Sequence, residues 1–93
     1  MKRQLLQSAA FVRAAKRLVK KQPQAAEVLR ASLARLADDA FHPLLKTHKL
    51  HGELAGSWSA SAGYDLRIVF DFVQHSGAEA ILLQSVGTHD EVY

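Results

Sequence analysis

The hydrophobic period changes once along the chain, and that change limits the fold more than any other feature. Up to Leu36 apolar residues recur every three to four positions, whereas from Leu54 onward they alternate with polar ones. Phe11, Ala14, Ala15 and Leu18 mark the buried stripe of a first helix, with Ser8 positioned as its N-cap, and Ala26, Leu29, Leu33 and Leu36 mark a second. "KQPQ" separates them, with Pro23 expected in the first turn of the second helix. So tight a link makes a helical hairpin. Beyond it, "GSWSASAG", "YDLRIVFDFV" and "AILLQSVG" read as three strands joined at Gly63 and at "QHSGAE", links short enough for an antiparallel meander. "RQLLQ" near the start is ambiguous between a short edge strand and irregular chain. A helix pair followed by an antiparallel sheet predicts a two-layer α+β sandwich, and 93 residues fit one domain, 1–93, with one core.

The stretch from Asp38 to Glu53 lacks either period and reads as a long connection holding three of the five histidines, His42, His48 and His51. Connections of that length are often functional. Cysteine is absent, which excludes disulfides, thiolate catalysis and Cys-based metal sites. His48 and His51 have the spacing H-x-x-H, yet no cysteine or acid joins them at a zinc-site spacing, so no metal or other cofactor is expected. No apolar run has the length of a signal peptide core or a membrane span, and a cytoplasmic protein with no membrane partner is expected. Charge divides as sharply as hydrophobicity: residues 1–52 hold 11 Lys/Arg against 3 Asp/Glu, and residues 53–93 hold 1 against 6. Arg13, Lys16, Arg17 and Lys20 ring the first helix outside its apolar stripe, either as an ordinary solvated face or as a surface for a polyanion.

In the middle strand Leu66, Ile68, Phe70 and Phe72 alternate with Asp65, Arg67, Val69 and Asp71, so one face meets the helices and the other carries charge. Arg67 on that second face either pairs with Asp65 or Asp71 or holds an anionic ligand. If the last hairpin turns near Ser76, facing residues sum to about 153, which sets Arg67 near Val86 and brings His89 within side-chain reach of a shared ligand.

The segments "HKLHGELAGSWS", "YDLRIVF" and the closing "GTHDEVY" resemble the RelE/ParE superfamily of bacterial toxins, in particular its RelE/StbE and YafQ-like branch. The resemblance covers essentially the whole chain. It implies a RelE-like fold and a ribosome-dependent endoribonuclease that enters the ribosomal A site, cleaves messenger RNA without a metal and is held inactive by a wrapping antitoxin. His89 matches a histidine assigned to acid/base work in similar toxins, Arg67 a phosphate-binding arginine, Asp65 a nearby carboxylate, Tyr93 the closing aromatic and His48 a loop histidine. One departure stands out: YafQ-like enzymes carry a further histidine around the turn where this chain has only "SASAG", and His51 is the available substitute. Lys46, Lys49, His51 and the basic helix are expected to contact RNA, including 16S ribosomal RNA, while operator DNA is met only through the antitoxin complex. The chemistry stands without the family. Cleavage by the 2'-hydroxyl needs a base, an acid and a cation at the phosphate, which imidazoles and an arginine fork supply. Tyr93, before Tyr64, is the aromatic expected to stack a splayed base, and Trp58 is expected to pack instead. The same superfamily contains ParE-like gyrase inhibitors without nuclease activity, and a weak enzyme retained as corepressor is the third reading.

Overall fold

A computed structural model describes residues 2–93. The elements in chain order are β1 (Leu5–Gln7), α1 (Ala9–Lys21), α2 (Ala25–Asp38), β2 (His48–Lys49), β3 (Trp58–Ala62), β4 (Leu66–His75), β5 (Ala78–Thr88) and α3 (His89–Val92). The strands form one sheet in the order β1-β5-β4-β3-β2. The three expected strands make the antiparallel meander β3-β4-β5. The sheet as a whole is mixed, because "RQLLQ" contributes edge strand β1, which pairs parallel with β5. A parallel pair needs a long crossover, and the helix pair and the remaining strands between β1 and β5 provide it.

Ser8 caps α1 as its sequence suggests, its hydroxyl accepting the Phe11 N–H at 3.0 Å while its own N–H donates to Leu83 of β5 at 3.1 Å. Pro23 falls two residues short of the helix it was expected to begin: α2 starts at Ala25 with Gln24 as its N-cap, and Pro23 lies in the turn before it. That turn is tight because the Ala25 and Ala26 N–H groups donate to Gln22 and Pro23. Phe11 and Leu18 of α1 and Leu29 and Leu36 of α2 pack with Ile68, Phe70, Ile81, Leu83 and Val86 of the sheet in a single core. Burial of each large apolar side chain contributes about 1.5–3 kcal/mol.

The connection 38–53 is more ordered than its pattern suggested. It contains two 3-10 turns, Pro43–Leu45 and Gly52–Leu54, and between them β2, which pairs His48 with Ser59 and Lys49 with Trp58. A two-residue strand is too short to display a period, which is why it escaped notice. Trp58 packs edge-on to Phe41 and Phe72, with ring centroids 5.6 and 5.3 Å apart.

The β4-β5 hairpin turns through Ser76 and Gly77, both in left-handed conformation (φ 52° and 81°), the geometry of a two-residue I′ turn. Close to the turn the expected register holds, with Phe72 facing Ile81. Farther along, Phe70 faces Leu83 but Val69 faces Ser85, leaving Gln84 as the extra residue of a β-bulge. Arg67 therefore faces Gly87, whereas an unbroken register would have matched it with Val86.

Candidate functional site

Cross-strand partners share a face of the sheet, so the pairings define two neighbouring rows on the side away from α1 and α2. His48, Ser59, Val69 and Ser85 form one row; Ser61, Arg67 and Gly87 form the next. Short helix α3 folds back over these rows. A Cβ built on Gly87 would lie 3.2 Å from the Glu91 Cβ and 3.4 Å from the Val92 Cγ1, an approach that bare backbone permits and a side chain would crowd. Ser59 and Val69, expected by alternation to face solvent, are only 0% and 4% exposed.

Local hydrogen bonding fixes α3. Thr88 and Glu91 form a reciprocal capping box in which the Glu91 carboxylate accepts the Thr88 N–H at 2.9 Å. Those hydrogen bonds from Thr88, with a smaller contribution from Lys21 and Arg17 across the gap to α1, hold the Glu91 carboxyl below its ordinary value. The His89 N–H donates to the Asp65 carbonyl at 3.2 Å, anchoring the start of α3 to the end of the β3-β4 turn. Asp65 thus meets His89 through its backbone.

One turn of helix brings the His89 and Tyr93 rings together, edge to face, with centroids 4.6 Å apart. The Tyr93 hydroxyl reaches down to the sheet and hydrogen-bonds the buried Ser59 hydroxyl. Tyr93 also lines a cavity of about 480 Å³ with His48, Leu50, His51, Glu53, Leu54 and Val92. Within it the His48 Nδ1 lies 3.0 Å from the Lys46 carbonyl. A carbonyl only accepts, so the contact needs the proton on Nδ1 and leaves Nε2 as the ring nitrogen available for a further partner. His89 is mostly exposed, with its Nδ1 3.6 Å from the Asp90 carboxylate.

Arg67 makes neither of the ion pairs open to it on sequence grounds. Its Nη1 donates to the neighbouring Leu66 carbonyl at 2.9 Å, and among the described residues no carboxylate neutralises it. Asp71 accepts instead from Gln84, the bulged residue, at 2.8 Å. His48, His51, His89 and Tyr93 are thus gathered around α3 and the connection that contains β2, and Arg67 occupies the adjacent row. Lys46 and Lys49 are exposed on the same connection. Arg13, Lys16, Arg17 and Lys20 are exposed on α1, on the other side of the sheet, and form no ion pair among the described residues. Arg17 lines a separate cleft of about 330 Å³ with Lys21, Glu91 and the end of β5 that β1 leaves unpaired. Tyr64 is 99% exposed in the β3-β4 turn and borders another depression with Gln24 and Val28. No group of three His, Cys, Asp or Glu suited to a metal ion occurs among the described residues, and no described helix is long and apolar enough to cross a membrane.

Ser59 and Gly87 escaped the sequence reading. The signal for Ser59 was the alternation "SASA" itself, in which a small hydroxyl recurs on the face shared with Arg67 and Val69.

Neither a protein-family model nor a curated protein sequence matches the chain. Solved structures do. YafQ from E. coli superposes with a TM-score of 0.78 at 16% identity over 99% of both chains. The E. coli DinJ-YafQ toxin-antitoxin complex matches with a TM-score of 0.76 at 17% identity, covering 100% of this chain and 99% of that one. A metal-bound toxin from Helicobacter pylori gives 0.76 at 23% identity over the full length of both. With its helix pair on one face of a mixed five-stranded sheet and its last residues folded over the other, the chain has the fold of the YafQ and RelE-like toxins.

Proposed function

We propose that the protein is the toxin of a toxin-antitoxin pair and that it cleaves messenger RNA on the ribosome, in the cytoplasm. The observation that carries this reading is the gathering of His48, His89 and Tyr93 on one sheet face beside an arginine that has no counter-ion among the described residues. Similarity to a toxin solved with its antitoxin supports the partner. In the proposed reaction the 2'-oxygen attacks the adjacent phosphorus and the 5'-oxygen departs, leaving a 2',3'-cyclic phosphate. The free Nε2 of His48 takes the 2'-hydroxyl proton, and a protonated His89 donates to the departing 5'-oxygen. Arg67 offsets the charge that builds on the phosphate, and its planar fork suits two phosphate oxygens as a lysine does not. Tyr93 offers a partly exposed ring for stacking a base, and Asp65 orients His89 through its carbonyl. Lys46, Lys49 and His51 line the approach of the messenger, and the cations of α1 contact 16S ribosomal RNA. Operator DNA is reached only in the antitoxin complex.

End-mapping of a defined message in a purified translation system tests the reading. Wild type is expected to cut only with ribosomes present, and His89→Ala to lower the rate by about 10²- to 10⁴-fold, the usual contribution of a positioned acid or base. An intact message with wild-type protein would refute the nuclease and direct attention to gyrase supercoiling.

A further inference from the structure

We infer that Ser59 is a positioning residue that sets the Tyr93 ring against His89, and that Tyr93 acts through its ring while its hydroxyl is committed to the protein. The inference rests on the nuclease reading for its kinetic consequence and on geometry for the rest. Ser59 is completely buried, and a buried hydroxyl needs a hydrogen-bond partner. The Tyr93 phenol is the partner it has. In the sheet Ser59 is also the direct cross-strand neighbour of His48 on β2 and of Val69 on β4. It therefore stands where three parts of the candidate site meet: the β2 edge carrying His48, the floor beneath α3, and the free end of α3 itself.

A helix of four residues has too few internal hydrogen bonds to hold its orientation alone. The capping box and the Asp65 carbonyl fix its first turn, and the Ser59 contact fixes its last residue. With both ends pinned, the Tyr93 ring keeps its edge-to-face angle of 83° to His89 and its remaining surface toward the cavity containing His48. A hydroxyl engaged with the buried Ser59 is held against the sheet, which leaves the ring as the part of Tyr93 presented to RNA.

Two variants and their combination test this in the full chain. Ser59→Ala and Tyr93→Phe each remove one side of the same hydrogen bond, so each is expected to lower kcat about fivefold to tenfold with KM nearly unchanged, as loss of one hydrogen bond would. The double variant is expected to be no worse than either single, the mark of two groups acting as one. Nuclear magnetic resonance adds a readout independent of cleavage: the His89 ring protons, shifted by the adjacent Tyr93 ring, are expected to move alike in both variants. Multiplicative losses in the double variant, a Tyr93→Phe loss far beyond that of Ser59→Ala, or unmoved His89 resonances in Ser59→Ala would each overturn the inference. If the wild type fails to cut RNA, the nuclease reading falls, and the His89 resonances alone still decide whether Ser59 positions Tyr93.

Discussion

Gly87 lies close beneath α3, and replacing it with alanine makes a graded perturbation of the candidate site. The added Cβ would lie 3.2 Å from the Glu91 Cβ and 3.4 Å from the Val92 Cγ1. Carbon atoms prefer about 3.5–4.0 Å, so α3 must retreat by about 0.3–0.5 Å. The helix gives way before the sheet does, because it has only four residues whereas Gly87 is paired with Arg67 in the long β4-β5 ladder. Misplacement of a reacting group by about 1 Å typically lowers the rate about 10²-fold, so half that shift predicts a loss of about tenfold for Gly87→Ala. Gly87→Val, with two further carbons, should approach the full 10²-fold. Stability should change little, since relief of glycine's backbone freedom in a strand, about 0.5–1 kcal/mol, opposes the crowding. Cleavage rates in the reconstituted translation system, with circular dichroism melts in parallel, measure both quantities. Wild-type rates in Gly87→Val would refute the premise that close seating of α3 matters.

Ser8→Ala removes the α1 cap and should lower stability by about 1 kcal/mol, read as a melting temperature lower by about 4–8 °C. Glu91 has a carboxyl pKa below its ordinary value in the folded chain, so its contribution to holding α3 is complete above the unfolded-state value and disappears as pH falls through the folded one. The Thr88 amide resonance should accordingly move on acidification with a midpoint below that of an ordinary glutamate, and Glu91→Gln should abolish the movement. Arg67→Lys should lose about tenfold or more in cleavage with ribosome binding retained, because the charge survives and the fork does not. Lys16→Gln with Lys20→Gln should weaken ribosome binding and reduce its logarithmic salt slope by about 1.5, two phosphate contacts' worth, and an unchanged slope would remove α1 from the RNA surface.

The architecture was legible wherever a hydrophobic period ran long enough to count. The α1 stripe, its Ser8 cap and the alternation of β4 each correspond to an observed element because local pattern and tertiary burial agree there. β1 and β2 lay at the edge of legibility. Three and two residues show no period, and their pairing with β5 and β3 is decided by the rest of the sheet. The bulge at Gln84 was invisible for a related reason, since no single residue announces it and its effect appears only when two strands are aligned. For the site, residue type was informative and partnership was not. His48, His89, Arg67 and Tyr93 stand out as chemistry in search of a phosphate, but Asp65 meets His89 by its carbonyl and Arg67 bonds a backbone oxygen in place of an acid. Ser59 was missed because a serine in a strand has many ordinary uses, and only the folding back of α3 reveals its partner.

The bulge makes the β4-β5 arm sensitive to odd and even. Gln84 is one uncompensated residue, and beyond it every side chain of β5 is turned over: Val86 points into the core and Gly87 lies beneath α3. Closing the bulge with Gln84 kept in the ladder would exchange those two, withdrawing a valine from the core and setting its branched side chain where α3 rests, whereas deleting Gln84 would leave both in place. Adding a matched pair of residues near the Ser76–Gly77 turn would merely lengthen the far end of the hairpin. In a lineage of such proteins, length variation near that turn should therefore accumulate in paired steps, and a single-residue change between turn and site should survive alone only where it removes the bulged residue itself.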